Sequence, residues 1–284
     1  MRLLRARLPE IEFVVVPITT DGDRHKNAPL LSMERGMFVK EIELALLNGE
    51  IDFAVHSAKD LPSSLPDGLV LAAFTEREDP RDVLVSQLGL PFDDLPRGVR
   101  LGTSSPRRTA QLKARRPDIK VLPIRGNIDT RLEKARGDEY DGVVLAASGI
   151  IRLGRQDEIT EYFSPELCLP DTGQGALAVE ARAESAATIE MLAMIDHWPT
   201  SAAVKAERAF MESVGGGCKV PVAAYAQLDG DDLAISAMAA IPDGSRLFRV
   251  HLTHTADDPI SAGQRVAESL MNTGAREIIA NGAV

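Results

Sequence analysis

The 284-residue sequence is poor in the residues that cross-link chains, bind metals or stack on bases. It has two cysteines, one tryptophan and five histidines, and aromatic residues make up only 4%. Cys168 and Cys218 lie far apart and form no Cys-x-x-Cys pair, which argues against a disulfide framework and against a zinc site. No apolar run approaches the roughly 20 residues of a membrane span. The basic start, MRLLRAR, breaks at Pro9 and does not resemble a signal peptide, so we expect a reducing cytoplasm.

Positive charge is scarce overall but concentrated in one stretch. The net charge is −10, yet residues 97–136 carry twelve Lys/Arg against three acids. This stretch is therefore near +9 and the remainder near −19. A local basic field in an acidic protein suits a compact polyanion. Nucleic acid is the competing interpretation, but the stretch has no aromatic residue for base stacking. A solvated helix face explains Lys113, Arg115 and Arg116.

The order of predicted elements indicates an α/β fold with three domains. Strands alternate with helices between residues 83 and 146, which predicts a doubly wound, mainly parallel (mixed) sheet. A charged break at Thr75–Arg81 and a second break at Pro170–Gly175 are plausible crossings between lobes, and the glycines of the second give it hinge character. After Pro199 the turn signals Asp229-Gly230-Asp231 and Pro242-Asp243-Gly244 predict an α+β module with a small antiparallel sheet.

The predicted elements have the following bounds. The strands are Glu12–Ile18, Asp52–His56, Leu69–Phe74, Val83–Ser86, Arg100–Gly102, Lys120–Ile124, Gly142–Ala146, Ala176–Glu180, Val222–Leu228, Leu233–Ala239 and Arg246–Leu252. The helices are Phe38–Asn48, Pro106–Arg115, Ile128–Arg136, Ser185–Asp196, Ser201–Val214 and Ile260–Thr273.

A glycine run, Gly215-Gly216-Gly217, leads directly to Cys218. Three residues without a β-carbon would let a bulky group approach the thiol, and the adjacent Lys219 would favour the nucleophilic thiolate. The alternative is a glycine that ends a helix, followed by a small buried residue. Cys168, in an apolar Glu-Leu-Cys-Leu context, is interpreted as a buried filler.

The segment Val55–Pro62 (VHSAKDLP) brings Ser57, Lys59 and Asp60 to the end of a buried strand. Ligands bind at such strand ends in open α/β sheets. A carboxylate beside an ammonium group could stabilise a developing cation or protonate an amine leaving group. The alternative is that Asp60 only caps the turn before Pro62.

A second segment, GTSSPRR, predicts an anion site at a helix start. Pro106 suits the first helical position and Ser105 the N-cap. Free backbone N–H groups and the helix dipole attract anions there. The same segment adds hydroxyl and guanidinium donors for carboxylates, namely Thr103, Ser104, Ser105, Arg107 and Arg108.

Two further segments are expected to contribute to the same site at the ends of the strands. Arg125 ends a strand in an Arg-Gly turn and Arg131 lies one turn into the next helix, where a salt bridge to Asp129 is the alternative. Small residues at Ala146–Gly149 would permit close backbone approach of a ligand.

Taken in order, these motifs resemble the hydroxymethylbilane synthase (porphobilinogen deaminase) family. The resemblance runs from about Pro9 to the C-terminus through HSAKDLP, EREDPRD, GTSSPRR, RGN, GQGA and GGCxxP. Each motif alone is weak, whereas all of them in sequence are highly specific.

The resemblance implies three domains: two lobes like those of periplasmic binding proteins around a cleft, and a third that carries the cysteine. We expect domain 1 to comprise residues 1–76 and 174–197, domain 2 residues 77–173 and domain 3 residues 198–284. The implied reaction joins four porphobilinogen molecules head to tail, with loss of ammonia, into hydroxymethylbilane, an intermediate of tetrapyrrole (haem, chlorophyll, corrinoid) biosynthesis. The implied cofactor is dipyrromethane, held by a thioether on Cys218. The partners would be porphobilinogen and the growing chain, with no nucleic acid or membrane, and we expect a monomer.

The resemblance also implies roles for residues. Asp60 would be the catalytic carboxylate, stabilising the azafulvene cation formed as ammonia leaves. The acetate and propionate groups would be held by Ser57, Lys59, Thr103, Ser105, Arg107, Arg108, Arg125 and Arg131. Close backbone or hydroxyl contacts would come from Ser104, Ala146, Gly149 and Gly217, and a lid would include Arg35 and Phe38.

Two departures from the family pattern bear on these expectations. The family normally begins with a strand that carries an Arg-x-Ser signature, whereas Met1–Leu8 resembles only the tail of the helix that follows it. We expect that the natural start lies upstream. In the loop 28–36, Leu31 stands where the family often has a cation, which predicts weaker electrostatic help from the lid. The rival hypothesis to a synthase is an inactive relative that acts only as a two-lobed carboxylate binder.

Overall fold

The computed structural model describes residues 1–19, 39–215 and 220–281. The predicted lid residues Arg35 and Phe38, together with Gly217 and Cys218, lie outside the described residues.

The described chain forms the following elements. The strands are β1 (Phe53–Ser57), β2 (Leu69–Phe74), β3 (Asp82–Ser86), β4 (Arg100–Gly102), β5 (Lys120–Leu122), β6 (Gly142–Ala146), β7 (Glu161–Tyr162), β8 (Leu177–Arg182), β9 (Val222–Asp229), β10 (Asp232–Ala240) and β11 (Leu247–Thr255). The α-helices are α1 (Arg2–Arg7), α2 (Lys40–Leu47), α3 (Pro106–Arg115), α4 (Ile128–Ala135), α5 (Ala147–Arg152), α6 (Ala186–Ala193), α7 (Trp198–Ser213), α8 (Pro259–Leu270) and α9 (Arg276–Asn281).

One predicted strand is wrong. Residues 12–18 form no strand although they are rich in valine, and Val14, Val15 and Val16 are exposed by 76%, 67% and 54%. A strand needs a neighbour to pair its backbone groups, and among the described residues none lies alongside this segment. Instead it borders an apolar groove of about 820 Å³ whose other wall includes Phe53 and Val55 of β1.

The first lobe is built on the three-stranded sheet β1-β8-β2, in which both strand pairs are antiparallel. The register places Ser57 opposite Leu177 and Phe74 opposite Ala178. Helices α1 and α6 cover it through a core that includes Leu4, Val179 and Leu192. The pairing fixes the end of β1 next to the start of β8, which is where the HSAKD and GQGA motifs meet.

The second lobe holds the five-stranded sheet β5-β4-β6-β3-β7. Strand β4 runs parallel to β5 and β6, whereas β3 is antiparallel to both β6 and β7. Separate apolar cores lie on the two faces of this sheet. The predicted α/β class is therefore confirmed, but the sheets are mixed rather than mainly parallel, since the parallel pairs of the described residues are β5-β4 and β4-β6, on one side of this sheet.

The third domain packs the antiparallel sheet β11-β10-β9 against α7 and α8, as the sequence predicts. Its core is rich in alanine, which allows the two helices to approach closely. Gly263 on α8 lies so near the backbone of α7 that a β-carbon there would collide with Ala206. In the part of the chain that the structure describes, no helix has both the length and the hydropathy that a bilayer crossing demands.

A buried ion pair joins the three parts. Glu207 of α7 accepts hydrogen bonds from Arg77 at 2.7 Å, from the Gly173 N–H at 2.6 Å and from the Ala226 N–H at 2.8 Å. The guanidinium of Arg77 also lies over the ring of Tyr225. Both crossings between the lobes, at Arg77 and at Gly173, are thus anchored on the third domain. The exact domain boundaries given above stay a prediction.

Candidate active site

The ends of β1, β4, β5 and β6 lead into the segments that carry the predicted site residues. Strand β1 continues into a single turn of 3₁₀ helix, Ala58–Asp60, and β4 and β6 lead to the N-termini of α3 and α5. The backbone N–H of Ala58 donates to Ala176 O at 3.0 Å, which holds this turn against the start of β8. The predicted site residues therefore lie at one edge of the fold, because they follow the ends of these strands.

Lys59 and Asp60 differ in exposure. Asp60 is exposed, whereas Lys59 is half-buried and its Nζ donates to Gln174 Oε1 at 3.4 Å. Burial, and next the positive charge of Arg108, lower the pKa of Lys59, although Asp60, Asp171 and Asp82 oppose the shift. The effects of burial and Arg108 on the ammonium group therefore outweigh those of the three carboxylates.

The predicted N-cap at Ser105 is confirmed. Its Oγ accepts the Arg108 N–H at 3.4 Å, and Pro106 is the first residue of α3. The buried Thr103 uses its Oγ1 to accept the Ser105 N–H at 3.3 Å. Ser104 Oγ donates to Ile124 O at 2.8 Å and accepts the Ile124 N–H at 2.9 Å, so its hydroxyl ties the end of β4 to the end of β5.

Arg107 and Arg108 are buried and converge on Asp82, the first residue of β3. Arg107 Nη1 donates to Asp82 Oδ2 at 2.7 Å, and Arg108 Nη2 donates to Oδ1 at 2.7 Å. Both arginines also reach backbone carbonyls, Leu169 O at 2.6 Å and Val144 O at 3.1 Å. These contacts use Nη1 of Arg107 and the Nε, Nη1 and Nη2 of Arg108. Whether they also contact a ligand's carboxylates stays a prediction.

The charges of this cluster stabilise one another. Burial alone would raise the pKa of Asp82, but Arg107 and Arg108 hold it well below the ordinary value. The same carboxylate raises the pKa of Arg107 against the opposing effect of burial. One donor remains over: the Nε of Arg107 is buried and has no hydrogen-bond partner among the described residues.

Arg125 and Arg131 flank the turn after β5. Arg131 Nε donates to Gly126 O at 2.8 Å, and Gly126 has φ +113°, a backbone conformation that favours glycine. Asp129, the alternative partner of Arg131, is instead paired with Arg155 at 2.7 Å. Burial and then Arg108 lower the pKa of Arg131. Arg131 therefore resembles Lys59, because burial and the charge of Arg108 lower the pKa of both residues.

The small residues after β6 have a packing role. Ala146 is half-buried at the start of α5, and a β-carbon on Gly149 would collide with the side chain of Ile128 on α4. A larger residue here would force the Ile128 side chain to move. Contact of either residue with a ligand stays a prediction.

Two residues at the centre of the site were missed by the sequence interpretation. Asp82 lies in the EREDPRD motif, which was interpreted as a break between lobes, and Gln174 lies in GQGA, which was interpreted as a hinge. Gln174 Nε2 donates to Pro80 O at 2.7 Å and to Asp82 Oδ1 at 2.8 Å. Both side chains are fully buried. The available signal was a charged or amide residue within each recognised motif.

Cys168 is buried, as predicted, but it is more than a filler. Its Sγ donates to Asp82 Oδ2 at 3.2 Å. Burial raises the pKa of this thiol to about 12, so it stays protonated. Among the described residues, no group of three or more His, Cys, Asp and Glu side chains is arranged to hold a metal ion.

Comparison with known proteins agrees with this geometry. Residues 1–190 match the family model described as porphobilinogen deaminase, dipyromethane cofactor binding domain, and residues 201–272 match the porphobilinogen deaminase C-terminal domain.

Curated relatives match over nearly the whole chain. The porphobilinogen deaminase of Desulfitobacterium hafniense is 47% identical over 279 residues, and that of Desulforudis audaxviator is 48% identical over 278 residues. Each alignment covers 98% of this chain and 90% of the relative. A solved structure of the Bordetella pertussis BvgS periplasmic VFT2 domain covers 68% of this chain and 73% of its own, with TM-score 0.39 and 17% identity. From the family models and the curated relatives, the chain belongs to the porphobilinogen deaminase family.

Proposed function

We propose that this protein is a hydroxymethylbilane synthase that joins four porphobilinogen molecules head to tail. In each condensation the C–N bond of the substrate's aminomethyl group breaks and ammonia leaves. A new C–C bond then joins the freed methylene carbon to the free α-carbon of the preceding pyrrole, which loses its proton. The substrate brings an acetate and a propionate, so the growing chain is a polyanion.

The observation that carries this proposal is the pair of desolvated cations, Lys59 and Arg131, together with an exposed carboxylate next to Lys59. Burial and Arg108 lower the pKa values of Lys59 and Arg131 together, so cations from both lobes share one electrostatic field. Such desolvated cations gain from anionic ligands, because a carboxylate stabilises the charged state that burial disfavours. Asp60 adjoins Lys59 just after the end of β1 and is exposed.

The residues present also fit a dipyrromethane cofactor, whose pyrrole rings carry the same carboxylate side chains as the substrate. Lys59, Arg131 and the unpartnered Nε of Arg107 provide donors for these groups. We propose that Cys218 holds the cofactor through a thioether and that its carboxylates bind at Ser57, Lys59, Thr103, Ser105, Arg107, Arg108, Arg125 and Arg131. When bound, the cofactor supplies the pyrrole α-carbon to which the first substrate is joined.

Asp60 is proposed as the catalytic carboxylate. Its charge would stabilise the cation that the substrate forms as ammonia leaves, and its oxygens would accept hydrogen bonds from pyrrole N–H groups. Lys59, the nearest cation in sequence, would orient a substrate carboxylate and so keep the reacting ring in register with Asp60. The exposed position of Asp60 gives a substrate room to reach it.

We further propose a monomer that acts in the cytoplasm without nucleic-acid or membrane partners. The basic stretch 97–136 supports the absence of a nucleic-acid partner, because many of its arginines pair within the protein. These pairs are Arg100–Asp141, Arg107–Asp82, Arg108–Asp82, Arg115–Asp93, Arg116–Asp118 and Arg136–Glu158. Light scattering on a size-exclusion column would test the oligomeric state, and a dimer would contradict it.

The test of function combines intact mass with product analysis. We expect the purified protein to carry the mass of two linked pyrrole units, mapped by peptides to Cys218, and to convert porphobilinogen into hydroxymethylbilane with release of ammonia. A Cys218→Ala variant is the matched control and should lack both the added mass and the turnover. An unmodified Cys218 that stays unmodified after incubation with porphobilinogen would overturn the proposal and favour a simple carboxylate binder.

A further inference from the structure

Gln174 lies where the two lobes and the crossing between them meet. Its side chain is fully buried, and its neighbours Gly173 and Gly175 have φ values of +73° and +90°. A β-carbon on Gly173 would come within 2.9 Å of the Ala58 backbone and 3.0 Å of Lys59 N. The two glycines therefore let the crossing thread against the turn that carries Lys59 and Asp60.

The hydrogen bonds of Gln174 fix which way its amide points. Nε2 donates to Pro80 O at 2.7 Å and to Asp82 Oδ1 at 2.8 Å. Both partners are acceptors, so the amide cannot be turned around without facing oxygen to oxygen. Oε1 must then be the acceptor that faces Lys59 Nζ at 3.4 Å.

The two ends of Gln174 differ in strength. The Nε2 end is anchored on Asp82, which Arg107 and Arg108 hold in place, whereas the Oε1 end accepts a long hydrogen bond of 3.4 Å from Lys59. A carboxylate at this position would form a full ion pair with Lys59 and use up its charge. A neutral amide oxygen instead orients the ammonium and leaves its charge for an incoming carboxylate.

We propose that Gln174 is a positioning residue that orients Lys59 toward the carboxylates of the substrate and couples that lysine to the Asp82–Arg107–Arg108 cluster of the second lobe. This rests on the function proposed above. Gln174 acts through Lys59 and takes no part in bond making.

The first test reads Lys59 directly by NMR, in protein labelled with ¹³C at the lysine ε-carbons and assigned with Lys59→Arg. The charged groups that act on Lys59 are Arg108, which lowers its pKa, and Asp60, Asp171 and Asp82, which raise it. Losing the acceptor in Gln174→Met should lower the pKa of Lys59 further, whereas the carboxylate of Gln174→Glu should raise it. A merely structural role for Gln174 would not give opposite shifts in the two variants.

Gln111→Met is the matched control. Gln111 is a second buried glutamine beside the same cluster, where it bonds to Leu169 and Arg249 without reaching Lys59. We expect the Lys59 pKa in this variant to stay that of the wild type. An unchanged Lys59 in both Gln174 variants, or shifts of the same sign, would overturn the inference. If Gln174→Met fails to fold, Gln174→Ala, which also lacks the acceptor, takes its place in the comparison with Gln174→Glu.

The second test is a double-mutant cycle on KM for porphobilinogen. Losing one orienting hydrogen bond should raise KM about 5-fold in Gln174→Met, and losing the ammonium should raise it about 10-fold in Lys59→Met. If Gln174 acts through Lys59, the double variant should stay near 10-fold and not approach the product of the two effects, about 50-fold. A product-like result in an active protein sinks this inference alone, whereas a wild type that makes no hydroxymethylbilane sinks the proposed function and leaves the NMR test standing.

Discussion

The two lobes treat positive charge in opposite ways at their meeting point. In the second lobe, Arg107 and Arg108 pair with the fully buried Asp82 at 2.7 Å each. In the first lobe, Lys59 donates to a neutral amide oxygen at the long distance of 3.4 Å. The first arrangement stabilises the fold and the second costs stability but leaves a cation able to bind an anion. The difference separates charges that are neutralised within the protein from a charge that is left for a ligand.

The largest expected effect is on turnover, and it concerns the exposed Asp60 of the first lobe. Asp60→Asn should lower kcat by about 10² to 10⁴, the usual contribution of a carboxylate that assists proton transfer or stabilises a cation. Because Asp60 is exposed, its loss should leave the melting temperature nearly unchanged. Steady-state kinetics and calorimetry measure the two quantities.

The control for this variant is Asp67→Asn, another exposed aspartate on the same lobe. It should change neither quantity. A kcat of Asp60→Asn within a few-fold of the wild type would remove Asp60 from the reaction and leave it as a turn residue.

The second largest effect is on stability, at the buried end. Asp82→Asn leaves two buried guanidinium groups without their carboxylate, which should cost about 3–5 kcal/mol in the free energy of unfolding. Urea unfolding measures it. Asp93→Asn is the control, because its exposed pair with Arg115 should matter little.

The pH dependence of this difference follows from the direction of the Asp82 shift. Its pKa is held below the ordinary carboxyl value, so its contribution is fully present above about pH 4 and disappears as the pH falls toward the folded-state pKa. The gap in stability between wild type and Asp82→Asn should therefore narrow below about pH 4. A gap that stays constant as the pH falls well below 4 would mean that the charge of Asp82 is not what the arginines need.

Lys59→Met sharpens the comparison, because here the removal of a charge should stabilise the fold. Burial and Arg108 lower the pKa of Lys59, so its protonated form is less favourable in the folded protein than in the unfolded chain. We expect the melting temperature to rise by about 1–3 °C at neutral pH, although KM rises as well. Lys120→Met, at an exposed lysine, should show neither change.

The sign of this effect also sets its pH window. The cost of Lys59 is present below its folded-state pKa and is relieved as the pH rises toward the ordinary lysine value near 10.4. The gain from Lys59→Met should shrink over that range. A melting temperature that falls in Lys59→Met would show that Lys59 is already paired well enough to support the fold.

The positions of the strand ends could be predicted from the sequence, but their charge pairing could not. Pro106 and Ser105 mark the start of α3 because their chemistry is local, and both predictions are confirmed. The partner of Arg107 and Arg108 lies about 25 positions upstream, in a segment whose charges suggested an exposed crossing. Asp82 is buried because β3 packs between β6 and β7. The residues around Asp82 in the sequence do not predict that packing.

The failed strand at residues 12–18 teaches the same lesson from the apolar side. A run of valines favours extended backbone, but a strand exists only where a neighbour completes its hydrogen bonds. The sequence carries the propensity and lacks the information on the neighbour. Likewise, Gln174 could be recognised as part of a motif. Its role could not be predicted, because its hydrogen-bond partners Asp82 and Lys59 are distant in sequence.

The smallest effect is expected at Cys168, which tests how complete the buried cluster is. Its thiol has a pKa raised to about 12 and donates to Asp82, so at pH 8 iodoacetamide should leave it unmodified in the native protein and label it after unfolding. Cys168→Ala should cost only about 1 kcal/mol, because Arg107, Arg108 and Gln174 still donate to Asp82. Rapid labelling of native Cys168, found by peptide mapping, would show that the cluster opens to solvent. The contrast between the buried, internally paired charges of the second lobe and the ligand-accessible charge of Lys59 in the first lobe would then not hold.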